Sequence, residues 1–248
     1  MRKMILLVAV IMAILCMTSC SAESKIDPAA IAVGDIVTFG NYAQDNDASN
    51  GKEPIEWIVL DVQDGKALLL SKYGLYAAGY HSTWDDCTWE TCSLRAWLND
   101  TFMNYAFSAE EQSAILITPV DNSDAQGFDW SLFGDEKITG WNNTQDRIFL
   151  LSCAEAGRYL DVTPENESNL KSRVAPTAFA VTQGAETESR FLTADGDAAG
   201  WWWLRSPGGC PNSGSGVSPK GSLSYMRAYH RTSLVRPAFW LDLNSDIF

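Results

Sequence analysis

Basic residues are scarce in this sequence of 248 residues, which holds 18 lysines and arginines against 31 aspartates and glutamates and has a formal net charge of −13. An acidic surface repels nucleic acid and anionic lipid, and it favours solubility. We therefore exclude nucleic acid as a partner.

Motifs of common enzyme classes are also missing. The sequence has no Gly-x-Ser-x-Gly nucleophile motif, no phosphate-binding loop and no paired-carboxylate motif, and we predict no cofactor. It has no internal repeat or low-complexity tract either. With 46% hydrophobic residues and ten tryptophans, the chain can bury a substantial core, and its length suits one domain.

A single long apolar run lies at the N-terminus, where Met4 to Met17 follows Arg2 and Lys3 and precedes two small polar residues and Cys20. This order is typical of a signal peptide, and the run is shorter than the roughly 20 residues that cross a bilayer. Residues 17–20, Met-Thr-Ser-Cys, resemble a bacterial lipobox, with methionine where leucine is commonest.

We predict that residues 1–19 are a lipoprotein signal peptide, that Cys20 carries the lipid, and that residues 20–32 are a tether to a single globular domain over 33–248. No later segment is apolar enough to cross a membrane. The lipid would then be the only membrane contact, with the mature chain on the extracytoplasmic side of the cell membrane. The alternative is a cleaved signal followed by an incidental cysteine.

Four cysteines remain once Cys16 leaves with the signal and Cys20 takes the lipid; they are Cys87, Cys92, Cys153 and Cys210. An even number in an oxidising compartment indicates disulfides, and three pairings are open. Cys153 lies in an apolar run and suits a buried thiol. We prefer one disulfide, Cys92 with Cys210, because a long loop constrains the unfolded chain by roughly 4–5 kcal/mol.

Hydrophobic patterning predicts strands at both ends of the domain and helices between them. Residues 33–42 alternate apolar and polar side chains, and Asp64-Gly65 is a hairpin signal between two β-rich runs. An apolar stripe at helical spacing falls between Trp84 and Phe107 and consists of Leu94, Trp97, Leu98 and Phe102, with Tyr105 at its end. Ser108/Glu111 and Ser152/Glu155 have the spacing of capping boxes.

Residues 119–146 are rich in Asp, Asn and Gly and predict a long surface loop, while RIFLLS at 147–152 predicts a strand and 175–185 a short helix. The last third is β-rich, with turns at Pro207-Gly208 and Lys220-Gly221. We therefore predict a single-domain α+β fold of antiparallel sheets with a few short helices.

Several segments together resemble one family. Among them are EPIEWIVLDV, TCSLRAWLND, IFLLSCAEAGRY, WWWLRSPG and VRPAFWLDL, and the ordered set resembles the bacterial domain of unknown function 6273 from about Val33 to Leu243. That family has no established activity, so the resemblance implies no function. The C-terminal pattern is also similar to bacterial domains of the C-type lectin fold, which implies a binding fold that displays variable loops.

His81 and Cys87 suggest a cysteine nucleophile with a histidine base, but an exported cysteine is more often oxidised, and a zinc site there lacks ligands. Formylglycine-generating enzymes share the C-type lectin-like fold and use paired cysteines in its C-terminal part, where this chain has only Cys210. Asp45, Asp47, Ser49 and Glu56 nearly match the offsets of a calcium loop. Gly51 falls one place late, so we predict no metal site.

Arg95, Arg205 and Arg236 each lie beside tryptophan or proline in the family-like segments. Such an arginine can clamp a ligand, or it can be a core residue paired with a carboxylate such as Asp242. We favour the structural role, because the apolar neighbours should bury the stem of the side chain.

We predict a non-catalytic binding module for a glycan, peptide or protein. In a strand, Trp202 faces away from Trp201 and Trp203, and the loops 208–218 and 225–233 should gather on one side of the sheet. The predicted contacts are Trp202, Asn212, Tyr225, Tyr229, His230 and Arg231. The alternative is an enzyme of the formylglycine-generating-like fold with an unrecognised site.

Overall fold

The computed structural model describes residues 26–139 and 141–248. The predicted signal peptide 1–19, Cys20 and the first part of the tether lie outside the described residues. The rest of the tether contacts the domain: Ile26 is buried in the core, and the carbonyl of Asp27 accepts from the amides of Ala30 and Ile31. No helix within the two described ranges is long and apolar enough to cross a membrane.

The regular elements are short and alternate along the chain. The strands are β1 Ile36–Tyr42, β2 Glu53–Gln63, β3 Lys66–Ser71, β4 Tyr76–Ala77, β5 Thr118–Val120, β6 Thr144–Asp146, β7 Thr187–Leu192, β8 Ala198–Gly200, β9 Trp202–Pro207, β10 Ser213–Val217, β11 Leu223–Arg227, β12 Leu234–Val235 and β13 Ala238–Asp242. The helices are α1 Ser93–Trp97, α2 Met103–Ala106, α3 Ala109–Ala114, α4 Cys153–Leu160 and α5 Ala178–Thr182.

Two main sheets share one core. The first has the strand order β1-β2-β3-β13 and the second β11-β10-β9-β12-β4, while β5-β6 and β7-β8 form separate pairs. Every pair is antiparallel except β12 with β9. The chain passes from the second sheet to the first at Arg236-Pro237, between β12 and β13. The prediction of a single-domain α+β fold with antiparallel sheets and short helices is confirmed.

The predicted turns and caps form as their local sequences require. Asp64 and Gly65 both have positive φ, 50° and 71°, as the two-residue turn between β2 and β3 needs. The two capping boxes, Ser108/Glu111 and Ser152/Glu155, are both complete. Within the segment from Trp84 to Phe107 that was predicted to be helical, α1 begins at Ser93, where the sulfur of Cys92 accepts from the amide of Arg95 and caps the helix.

The strand predicted over residues 147–152 is wrong, since only Phe149 pairs, with Ala238. Several other backbone groups of this segment bond to side chains, and the carbonyl of Leu151 accepts from the backbone amide of Arg205. Asn99 accepts from the amides of Arg147 and Ile148 and donates to the carbonyl of Ile148. The side chain of Arg205 donates to the carbonyl of Leu150, so these backbone groups are satisfied without continuous strand pairing.

Candidate functional site

An aromatic pocket of about 380 Å³ opens where the end of β1, the loop after it, the helix that begins at Ser93, and α5 meet. This volume lies in the range of small-ligand sites. Six rings line it, and we call the site the aromatic pocket; the rings are Tyr42, Tyr76, Trp97, Phe102, Tyr105 and Phe179.

A change of helical pitch brings the middle rings together. Leu98–Phe102 is a π-helical turn that joins α1 to α2. Residues five apart are neighbours in a π turn, so Phe102 lies next to Trp97, with ring centroids 5.5 Å apart. Tyr105, one turn further along, is 45% exposed at the rim of the pocket.

The rings also contact one another, which holds the walls in place. Tyr76 stacks on Trp97 with centroids 4.9 Å apart and an interplanar angle of 20°. Tyr42 meets Tyr105 edge-on at 5.4 Å and Phe179 at 5.9 Å. Such pairs contribute about 0.5–1.5 kcal/mol each beyond their buried area. The pocket is therefore preorganised before a ligand arrives.

Polar groups of the pocket have spare hydrogen-bonding capacity. Within the described ranges, no protein group accepts a hydrogen bond from the hydroxyls of Tyr42, Tyr76 and Tyr105 or from the indole N–H of Trp97. Burial raises the pKa of Tyr42 well above its usual value, and the nearby hydroxyls of Tyr76 and Tyr105 raise it further. Asp47 adds a carboxylate whose pKa is lowered by hydrogen bonds from Ser49.

Trp202, the first predicted contact, is a core residue. It is 0% exposed, and its indole N–H donates to the carbonyl of Ser172 at 2.9 Å. Both faces of β9 are covered by other parts of the chain, since every side chain from Trp202 to Ser206 is buried. The half-exposed tryptophan of the trio is Trp201, which lines a separate groove with Tyr225.

The remaining predicted contacts do not form one site. Asn212 accepts from Arg227 and donates to the carbonyl of Trp84, and the ring of Tyr229 packs against exposed Trp84. The ring Nδ1 of His230 faces the hydroxyl of Ser233. Arg231 is exposed beside it. Asn212 and Tyr229 thus meet at Trp84, whereas the ring of Tyr225 packs against Trp130 in a groove of its own.

The structure does not join Cys92 to Cys210, and the four cysteines of the described ranges are free thiols. The sulfur of Cys92 is buried at the helix cap, and burial raises its pKa to about 12. The sulfur of Cys210 instead contacts Asn212 and Arg227. Burial also raises the pKa of Cys87 to about 11, with Asp86 adding to the effect. A protonated, buried thiol is a poor nucleophile.

The histidine near Cys87 has a structural role, since Nδ1 of His81 accepts from the amide of Ser93. The carboxylates around the acidic loop after β1 already have partners. Asp45 accepts from the amide of Asp47, and Glu56 on β2 pairs with Lys72. In the part of the chain that the structure describes, no group of three or more His, Cys, Asp or Glu side chains is placed to hold a metal ion.

The three arginines of the family-like segments differ in their ion-pair partners. Arg95 pairs with the buried carboxylate of Asp146 at 2.6 Å, and Arg205 pairs with Glu155 through both terminal nitrogens. Both are structural, as predicted. Arg236 forms no ion pair with any described residue, and Asp242, its suggested partner, accepts from the amide of Asn244.

Sequence reasoning missed the aromatic pocket. Tyr42 was part of a predicted strand, and Trp97 and Tyr105 were part of a helical stripe that should have faced the core. No local signal marked Tyr105 as a rim residue, because at helical spacing it falls on the same apolar stripe as Leu94 and Leu98, and such a stripe ordinarily faces the core.

Fold and site together define a single-domain α+β protein with an aromatic-lined pocket. A family model described as "Domain of unknown function (DUF6273)" matches residues 64–243, and the chain belongs to this family. No curated protein and no solved structure matches the chain. The similarity to the C-type lectin fold stays a prediction.

Proposed function

We propose that this chain is an extracytoplasmic lipoprotein whose domain is a non-catalytic binding module, and that it binds a glycan in the aromatic pocket. The observation that carries the proposal is the gathering of three tyrosine hydroxyls and six rings around one opening. A sugar offers apolar C–H faces for stacking and hydroxyls for hydrogen bonds. Tyrosine and tryptophan supply both kinds of contact.

The acidic character of the chain favours a neutral or cationic ligand over an anionic one at this pocket. Asp47 stands at the rim, and Lys52, which lies 3.6 Å above the centre of the Tyr105 ring, is bound to the carbonyl of Tyr105. A carboxylate beside tyrosine hydroxyls can accept from sugar hydroxyls, and charge-assisted hydrogen bonds of this kind are the stronger ones. A neutral glycan uses both groups.

The glycan proposal is tested on an array with the soluble polypeptide 21–248, followed by titration calorimetry with a bound sugar. We expect Tyr105→Ala to weaken binding about tenfold or more, which corresponds to about 1.4 kcal/mol, because one wall of the pocket is lost. Thermal stability should change little, since the side chain is at the rim.

Tyr229→Ala is the matched control, because Tyr229 is a partly exposed tyrosine on the surface that the sequence predicted as the site. We expect its affinity to equal that of the unsubstituted chain. Loss of binding in Tyr229→Ala with binding kept in Tyr105→Ala would move the site to those loops. A peptide ligand with no glycan bound would contradict the sugar class.

The lipid anchor is tested separately. Cys20→Ala should abolish labelling by a fatty-acid analogue and either release the mature chain or stall its precursor, because no other anchor is evident in the sequence. Cys16→Ala, which changes a cysteine inside the predicted signal, should keep the labelling. Retention of Cys20→Ala on washed membranes as a mature chain would refute the anchor.

A further inference from the structure

Arg236 is a buried cation that has no carboxylate partner among the described residues. The residue is 1% exposed and lies where the chain crosses from one main sheet to the other. Its Nε donates to the carbonyl of Ser71 at 2.8 Å, and its guanidinium stacks over the ring of Trp202 at 5.0 Å from the centroid. These contacts orient the group and leave its outer edge available.

The terminal nitrogen Nη1 of Arg236 is the one buried side-chain polar atom in the described ranges that has no hydrogen-bond partner. Burial lowers the pKa of Arg236 to about 9, so the side chain is still charged at neutral pH. A buried charge that lacks both a counter-ion and a full set of hydrogen bonds is strongly unfavourable. A bound group that supplied both would remove this penalty.

Arg236 lines a small cleft of about 170 Å³, which we call the Arg236 pocket. Three more basic residues line it, Lys72, Lys171 and Arg173, against one acid, Asp195. The lining is therefore positively charged, whereas the chain as a whole has a net charge of −13.

The basic residues differ in how far their charges are already used. Lys72 pairs with Glu56 at 3.2 Å and approaches Asp195 at 3.9 Å, and Lys171 pairs with Asp161 at 2.7 Å. Arg173 instead donates to two carbonyls, those of Lys220 and Leu192, and forms no ion pair within the described residues. Two guanidinium groups without carboxylate partners therefore share one cleft.

We infer that the Arg236 pocket binds a small oxyanion, a phosphate or a carboxylate, between Arg236 and Arg173. Guanidinium groups present pairs of N–H donors that match the oxygens of either anion. The apolar lining, which includes Ile36, Ile58 and Val174, strengthens the attraction by excluding water. The pocket shares no lining residue with the aromatic pocket, so the two sites are independent of each other.

The test is titration calorimetry of the mature chain with inorganic phosphate and, separately, with acetate, each at an ionic strength held constant with sodium chloride. We expect saturable binding of at least one anion, and the two arms tell phosphate from carboxylate. Arg173→Gln should weaken the affinity roughly tenfold, as expected for the loss of a hydrogen bond to a charged group.

Arg190→Gln is the control, because it removes the same charge from a side chain that is 81% exposed and lies outside the Arg236 pocket. Its affinity should be unchanged. Arg236→Lys keeps the charge and loses the planar fork, so it should also weaken binding; if it unfolds the chain, Arg173→Gln decides alone. Binding of neither anion, or equal weakening by Arg173→Gln and Arg190→Gln, would overturn the inference.

Discussion

Replacing Arg205 by methionine is expected to lower the free energy of unfolding by about 3–5 kcal/mol, the range for breaking a buried ion pair from one side. All the donor groups of this guanidinium are used. Nε donates to Asn122, Nη1 to the carbonyl of Leu150 and to Glu155, and Nη2 to the carbonyl of Asp121 and to Glu155. Methionine fills much of the volume and satisfies none of these acceptors.

The Arg205–Glu155 pair also links several elements, so its loss should destabilise the whole domain. Glu155 belongs to the capping box that starts α4, and its carboxylate accepts both from the amide of Ser152 and from Arg205 on β9. Arg205 therefore ties the start of α4, the residues before it and the second sheet to one another. Unfolding in urea, followed by tryptophan fluorescence, measures the change.

Arg158→Met is the matched control on α4. The Arg158 side chain is 70% exposed and pairs with Asp61 at 3.5 Å, and exposed pairs contribute about 0–1 kcal/mol. We expect a correspondingly small change in the free energy of unfolding. A similar small change for Arg205→Met would show that the buried network is not a main support of the fold.

Trp202→Ala is the second substitution with a large expected effect, about 3–5 kcal/mol of unfolding free energy, as for other buried aromatic side chains. The change empties a fully buried site, removes the hydrogen bond to the carbonyl of Ser172, and takes away the ring on which Arg236 stacks. Thermal and urea unfolding of the purified chain measure it.

Trp201→Ala, one residue away and half-exposed, is the control and should cost about 1 kcal/mol or less. Comparing the two variants distinguishes a tryptophan that packs in the core from one that contacts a ligand. If Trp202→Ala kept its stability and lost binding to a sugar, Trp202 would be a ligand contact, as the sequence had suggested, and its burial in the structure would be contradicted.

The family match does not include all of the residues that form the aromatic pocket. The match begins at residue 64, after β1 and β2, yet β2 pairs with the whole of β3, from Trp57 with Ser71 to Gln63 with Lys66. Tyr42 at the end of β1 is one of the pocket rings. The first two strands therefore complete both the first sheet and the proposed site, although they precede the matched segment.

Local chemistry made part of this fold predictable. Asp64-Gly65 could be assigned to a tight turn because those two residues tolerate positive φ. The capping boxes at Ser108 and Ser152 could be assigned because a side chain three residues on reaches back to the cap. In each case the interacting atoms are only a few residues apart, so the sequence alone determined the outcome.

The tertiary structure decided the rest, because the deciding partners are distant in the chain. The segment 147–152 has the pattern of a strand, but Asn99 and Arg205 take its backbone groups. Alternation predicted that Trp202 lies opposite its neighbours, but distant segments that pack on that face, including Arg236 and Ser172, closed it to solvent.

The two proposed sites show the same division. The sequence determined that rings occur at positions 42, 76, 97, 102, 105 and 179 and that Arg236 follows an apolar strand. Only packing of the sheets against the helices gathered those rings around one opening and buried Arg236 with no carboxylate partner among the described residues. Proximity in three dimensions and exclusion of water arise from contacts between segments far apart in the chain, and a one-dimensional pattern does not contain them.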